Sequence, residues 1–152
     1  MREIRTETTI AAPPERVWDV LTKFSEFPQW NSFLRIDRGA PVPGTRLSVT
    51  ITPVGRRSMT FRPTVEVADS PRELRWLGRV GIPGLFDGRH RFEIHPEGTD
   101  RVRFVQAEEF RGILVGLVLR SGLARSTRDG FEQMNEALRA RAEAPPSPAP
   151  TG

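Results

Sequence analysis

The feature that most constrains this chain is a change of hydrophobic period between Ile10 and Phe33. Ile4 to Ile10 alternates apolar and polar residues, the pattern of a half-buried strand. The next residues do not alternate. Pro13 and Pro14 can open a helix, because the first helical positions need no amide donor, and Val17, Trp18 and Leu21 then recur on one helical face. A second short helical segment, Ser25 to Trp30, follows directly. Strand-like runs then return, so two short helices are inserted between the first strand and all the others.

Those runs are Leu34 to Asp37, Thr45 to Thr52, Met59 to Ala68, Glu73 to Arg79, Phe86 to His95 and Arg101 to Arg111. Gly and Pro clusters at Pro41 to Gly44, Pro53 to Gly55, Asp69 to Pro71, Gly81 to Gly84 and Pro96 to Thr99 punctuate them. With the first strand this predicts about seven strands in the meander of an antiparallel sheet. One face of each run is apolar and the other carries Arg, Glu and Thr, so one sheet face must be covered. A C-terminal helix supplies the cover: Leu119, Leu123, Phe131, Met134 and Leu138 form a stripe at helical spacing, interrupted at Thr127. Gly130 inside that stripe costs about 1 kcal/mol relative to Ala, which points to a close approach by the sheet or a cavity, with a plain helix defect as the alternative.

Several residues in these segments resemble the START and birch-pollen-allergen-like (SRPBCC) superfamily, in its bacterial polyketide cyclase/dehydrase and lipid-transport branch. They are Ala11-Ala12-Pro13, Val17-Trp18-Asp19, Phe27-Pro28-Gln29-Trp30-Asn31, and the helical Phe131, Met134, Asn135 and Leu138. The resemblance implies an α+β helix-grip fold: a curved antiparallel sheet around a long C-terminal helix, with two short helices after the first strand. It also implies a cavity between sheet and helix that takes a hydrophobic ligand, with cyclase or dehydratase activity in some members.

At 152 residues the chain suits one domain with a real core. Residues 1–143 are expected to form it, and 144–152, proline-rich and without anchoring side chains, to be a disordered tail. There is no cysteine, which excludes disulfides and thiolate chemistry. The alternating start leaves no apolar core for a secretory signal, which makes a cytoplasmic location the expectation. The longest apolar run, Gly112 to Leu119, falls far short of the roughly 20 residues that span a bilayer, so no stable membrane insertion is expected. Within it, Ile113 to Leu119 reads either as the buried first turns of the last helix or as a contact surface for a membrane or partner.

The net charge of +4 comes from arginine, with Lys23 the only lysine, but the arginines are dispersed and interleaved with acids. This fits solvated strand faces better than a phosphate-tracking stripe, and no nucleic-acid partner is expected. No nucleophile elbow, P-loop or dinucleotide fingerprint is present. His90 and His95 are an odd number of residues apart and so point to opposite faces, and the acids lack ligand spacing, so neither a metal nor a cofactor is expected.

The hairpin Phe86 to Arg111 carries the candidate chemistry. With Phe92, Ile94, Val102 and Phe104 inward, a three-residue turn Glu97-Gly98-Thr99 opposes His95 to Arg101, Phe92 to Phe104, His90 to Gln106, Gly88 to Glu108 and Phe86 to Phe110. His90, Gln106 and Glu108 then share the apolar face, with His90 and Glu108 as diagonal neighbours, while His95, Arg103 and Glu109 point away. His90 and Glu108 are therefore the candidate acid/base pair, the candidate anchor of a ligand's polar atom, or a mutually satisfied structural pair. The expected ligand-binding set is Trp30, Phe33, Trp76, Phe86, His90, Phe92, Phe104, Gln106, Glu108, Phe110, Phe131 and Met134. The leading function is binding of a polyketide- or lipid-like small molecule by a monomer or homodimer. A cyclase/dehydratase-type enzyme and a protein-interaction or stress-response module without a specific ligand are the alternatives.

Overall fold

The computed structural model of the chain describes residues 2–120 and 122–145; residues 146–152 of the expected tail lie outside it. The elements run β1 (Arg2–Ile10), α1 (Pro14–Thr22), a 3-10 helix (Phe24–Gln29), β2 (Leu34–Arg38), β3 (Ser48–Ile51), β4 (Met59–Phe61), β5 (Thr64–Asp69), β6 (Glu73–Val80), β7 (Phe86–Pro96), β8 (Val102–Arg111), α2 (Val115–Leu119) and α3 (Leu123–Glu143). This is the α+β helix-grip architecture, a curved antiparallel sheet wrapped around a long C-terminal helix.

The expected run Met59 to Ala68 divides into β4 and β5, giving eight strands in two hydrogen-bonded sheets ordered β1-β8-β7-β6-β5 and β2-β3-β4. The division falls at Arg62-Pro63, where proline has no amide to continue a ladder. The sheets stay joined at this seam: the Leu47 amide donates to the Pro63 carbonyl at 2.8 Å and the Val65 amide to the Thr45 carbonyl at 2.9 Å. The curved surface is therefore nearly continuous.

The inserted helical pair forms as its period requires. Pro14 opens α1, which buries Val17, Val20 and Leu21. In the 3-10 helix Phe24 and Phe27 pack edge to face, as do Phe27 and Trp30. Asn31 Oδ1 then accepts from the Phe33 and Leu34 amides at 3.1 and 2.9 Å, turning the chain into β2. Arg16 of α1 donates to the Arg141 and Ala142 carbonyls, which have no acceptor role left inside α3. The Ala11 amide donates to Glu143 at 2.9 Å, so the end of β1 is tied to the end of α3.

Two sequence-based expectations need correction. The run Ile113 to Leu119 is not the start of the last helix: α2 is separate, set off by Gly112 at φ +128° and Gly122 at φ +80°. Val115 and Leu119 of α2 are buried, whereas Ile113 and Leu117 are 83% and 70% exposed. The β7–β8 turn also lies one residue later than expected. Glu97 donates to the Arg101 carbonyl at 2.8 Å, Gly98 adopts φ +108°, and the turn runs over Gly98-Thr99-Asp100.

The register moves by two, so Ile94 opposes Phe104, Phe92 opposes Gln106 and His90 opposes Glu108 directly. Likewise Gly88, not Phe86, opposes Phe110. A period of two cannot distinguish registers that differ by two residues, because both keep every side chain on its face. His95, Arg103 and Glu109 accordingly lie on the outer face, His95 within hydrogen-bond distance of Glu93 and the other two in ion pairs with Glu7 and Arg111.

Candidate functional site

Along α3 the distance to the sheet changes. Phe131, Met134 and Leu138 pack directly onto the inner face and are fully buried. One and two turns earlier, Thr127 and Leu123 face open space instead. The result is a cavity of about 290 Å³, near the lower end of the range for small-molecule pockets. Its floor is Trp76, Gly78 and Val80 of β6, Phe86, Gly88 and His90 of β7, and Glu108 and Phe110 of β8. The second sheet contributes Val49, Ile51, Met59 and Phe61, and the roof adds Leu114, Val118 and Leu119 from α2 and its approach.

Two glycines make the room. Gly78 and Gly88 are directly opposed on the inner face, in phase with Trp76 and His90. A Cβ on Gly88 would lie 2.5 Å from Glu108 Oε1 and 3.7 Å from the Phe110 ring. Gly130 is small for another reason: a Cβ there would overlap the ring of Phe33, which is buried against α3 and lines the cavity.

His90 is 4% exposed, stacked on Trp76 at 5.3 Å with the Phe131 edge 5.0 Å away. It belongs to a row of polar side chains, the buried Thr6, Asn135, Gln106 and His90 and the partly exposed Glu108, whose hydrogen-bond directions follow from backbone carbonyls. Thr6 Oγ1 donates to the Gln106 carbonyl at 3.0 Å, so it accepts from Asn135 Nδ2 at 2.9 Å. Asn135 Oδ1 therefore accepts from Gln106 Nε2 at 2.7 Å, and that same Nε2 points at the Phe131 carbonyl. Gln106 Oε1 is left facing His90 Nε2 at 3.1 Å, and an amide oxygen only accepts, so Nε2 carries the proton.

The other ring nitrogen, Nδ1, lies 3.3 Å from Glu108 Oε2. This puts the Glu108 carboxyl within hydrogen-bond distance of the imidazole at the cavity floor. Glu108 Oε1, on the side of Gly88, has no partner among the described residues, nor has the hydroxyl of Thr127, which is 5% exposed on the opposite wall.

Of the expected ligand-binding set, Phe33, Trp76, Phe86, His90, Glu108 and Phe110 line the cavity. Phe92, Phe104, Gln106, Phe131 and Met134 lie at the closed end, where α3 sits on the sheet and leaves no space. Trp30 packs its edge on Phe27, away from the cavity. Sequence reasoning did not pick out Gly78, Gly88, Thr127 or the wall from β3 and β4. The phase of the two glycines, matching Trp76 and His90, was the available signal.

The fold and this buried polar row inside a sheet–helix cavity define a START-like helix-grip protein. The family described as polyketide cyclase/dehydrase and lipid transport matches residues 1–143, and the chain belongs to it. No curated protein matches. A Thermus thermophilus protein of known crystal structure superposes with a TM-score of 0.75 at 21% identity, covering 96% of this chain and 100% of its own. A START superfamily protein from Mycobacterium smegmatis gives 0.70 at 20% identity, covering 93% and 97%. The ZhuI aromatase/cyclase from Streptomyces sp. R1128 gives 0.67 at 16% identity, covering 93% of each chain. At these identities the likeness is one of fold.

Proposed function

We propose that this protein binds a polyketide- or lipid-like small molecule in the cavity, with Glu108 and His90 holding a polar atom of an otherwise apolar ligand. The observation that carries this reading is the composition of the lining, almost wholly aliphatic and aromatic, with one hydrogen-bonded Glu–His pair at its floor. A preformed apolar cavity with few placed polar groups is the usual form of a small-molecule site. A neutral environment-sensitive dye, N-phenyl-1-naphthylamine, should bind saturably with about one dye per chain and be displaced by flat aromatic compounds. Absence of saturable binding to the folded protein would overturn the proposal.

The approach of Glu108 Oε2 to His90 Nδ1 at 3.3 Å favours a second reading, a cyclase/dehydratase-type enzyme in which this pair moves protons on the ligand. The two readings part at Glu108→Gln. An enzyme loses turnover with affinity largely kept; a binding protein changes affinity. Family membership, including ZhuI among proteins of like fold, is consistent with both.

A further inference from the structure

We infer that the cavity selects a ligand bearing a hydroxyl group, a phenol or alcohol on an apolar body, and discriminates against carboxylates of the same shape. The inference rests on the binding reading above and adds the chemical class of the ligand. Its first support is the absence of cationic side chains from the lining: of the chain's 23 arginine and lysine residues, none of those described faces the cavity. An anion entering it finds no counter-charge and lies beside the Glu108 carboxyl. Taking a carboxylate out of water among apolar side chains without such a partner is costly.

The second support is a pair of polar groups left without a partner among the described residues. The row from Thr6 to Gln106 holds the His90 ring at Nε2, and Glu108 Oε2 lies against Nδ1. Glu108 Oε1, beside the gap left by Gly88, remains as an acceptor. Across the cavity the Thr127 hydroxyl is the second such group, able to donate or accept. A hydroxyl that donates to Glu108, with a further neutral oxygen able to meet Thr127, satisfies both; a plain hydrocarbon satisfies neither.

The test uses the whole 152-residue chain with N-phenyl-1-naphthylamine bound, displaced at near-neutral pH by three ligands of one shape. These are 2-naphthol, naphthalene and 2-naphthoate. The expected order places 2-naphthol first, about tenfold or more ahead of the carboxylate and measurably ahead of naphthalene. Equal or better displacement by 2-naphthoate overturns the inference, as does parity of 2-naphthol with naphthalene. Failure of the dye itself to bind would instead remove the binding reading beneath it. Thr127→Val keeps shape and removes the hydroxyl; it should leave naphthalene displacement unchanged while weakening ligands with a second oxygen, such as 2,6-dihydroxynaphthalene. An unchanged diol affinity in that variant, with its melting curve intact, would exclude Thr127 from the site.

Discussion

At Gly88 and Gly130 an added methyl group meets neighbours of different freedom, and the two substitutions should separate accordingly. The Cβ of Gly88→Ala would press on Glu108 Oε1, the end of a side chain that borders open space. The carboxylate can swing into the cavity, so the stability change should stay within about 1 kcal/mol, while dye or ligand affinity falls because the acceptor and the space are both lost. Gly130→Ala would press on the Phe33 ring, buried at 1% exposure. Helix propensity favours alanine by about 1 kcal/mol, but overpacking costs about 1 to 3 kcal/mol. Net destabilisation is expected, together with a smaller cavity as Phe33 is driven into it. Urea denaturation and dye titration of both variants check this; a more stable Gly130→Ala would mean that the ring moves freely. The close approach at Gly130 was legible in the sequence, since glycine in a helical stripe needs a packing reason. The identity of the neighbour was not, because Phe33 belongs to a connection that no periodicity describes.

The outer faces of β5 and β7 carry an ion pair whose pH dependence can be stated with its sign. Arg89 donates to both carboxylate oxygens of Glu66, at 2.7 and 3.2 Å, and this holds the Glu66 carboxyl below its ordinary value. A carboxyl whose pKa is lower folded than unfolded adds stability above the unfolded pKa and loses it as pH falls through the folded one. The pair's contribution should thus be full at neutral pH and fade below about 4.5, the ordinary value. The side chains are 31% and 36% exposed, so solvent screening limits the contribution to about 0.5 kcal/mol. Arg89→Gln should show that deficit in urea melts at neutral pH and lose it in acid; a deficit that persists or grows in acid contradicts the assignment. At this scale the strands were readable from alternation, and the face of every hairpin residue with them. The pairing partners were not, since a two-residue shift leaves the alternation intact and the turn chose between registers. The break between α2 and α3 was missed because apolar spacing runs through Gly122, and only its positive φ ends the helix there.

Over the whole molecule the cavity is enclosed by parts of unequal stability. Its floor belongs to the five-stranded sheet, whose β7 and β8 are paired on both sides and packed under α3 at one end. Its roof is a short helix and a loop held by a few bonds, with Ile113 donating to the Gly84 carbonyl at 3.2 Å and Leu114 to Leu85 at 3.1 Å. Leu85, Leu114 and Val118 face the cavity while Ile82, Ile113 and Leu117 face solvent, so the roof has apolar residues on both sides and little core of its own. No periodicity in the sequence could reveal this division, because a cavity depends on where α3 parts from the sheet, a property of curvature summed over eight strands. Regions with few buried contacts open most readily, and a ligand that fills the space beneath them supplies the missing contacts. Hydrogen exchange with and without 2-naphthol should therefore show the largest gain in protection across residues 82–86 and 112–119. Strands β7 and β8 beyond the cavity, around Phe92 and Phe104, should change only by the global stabilisation. Protection centred instead on α1 and the 3-10 helix would place the ligand's entrance at the opposite end and make the roof a fixed wall.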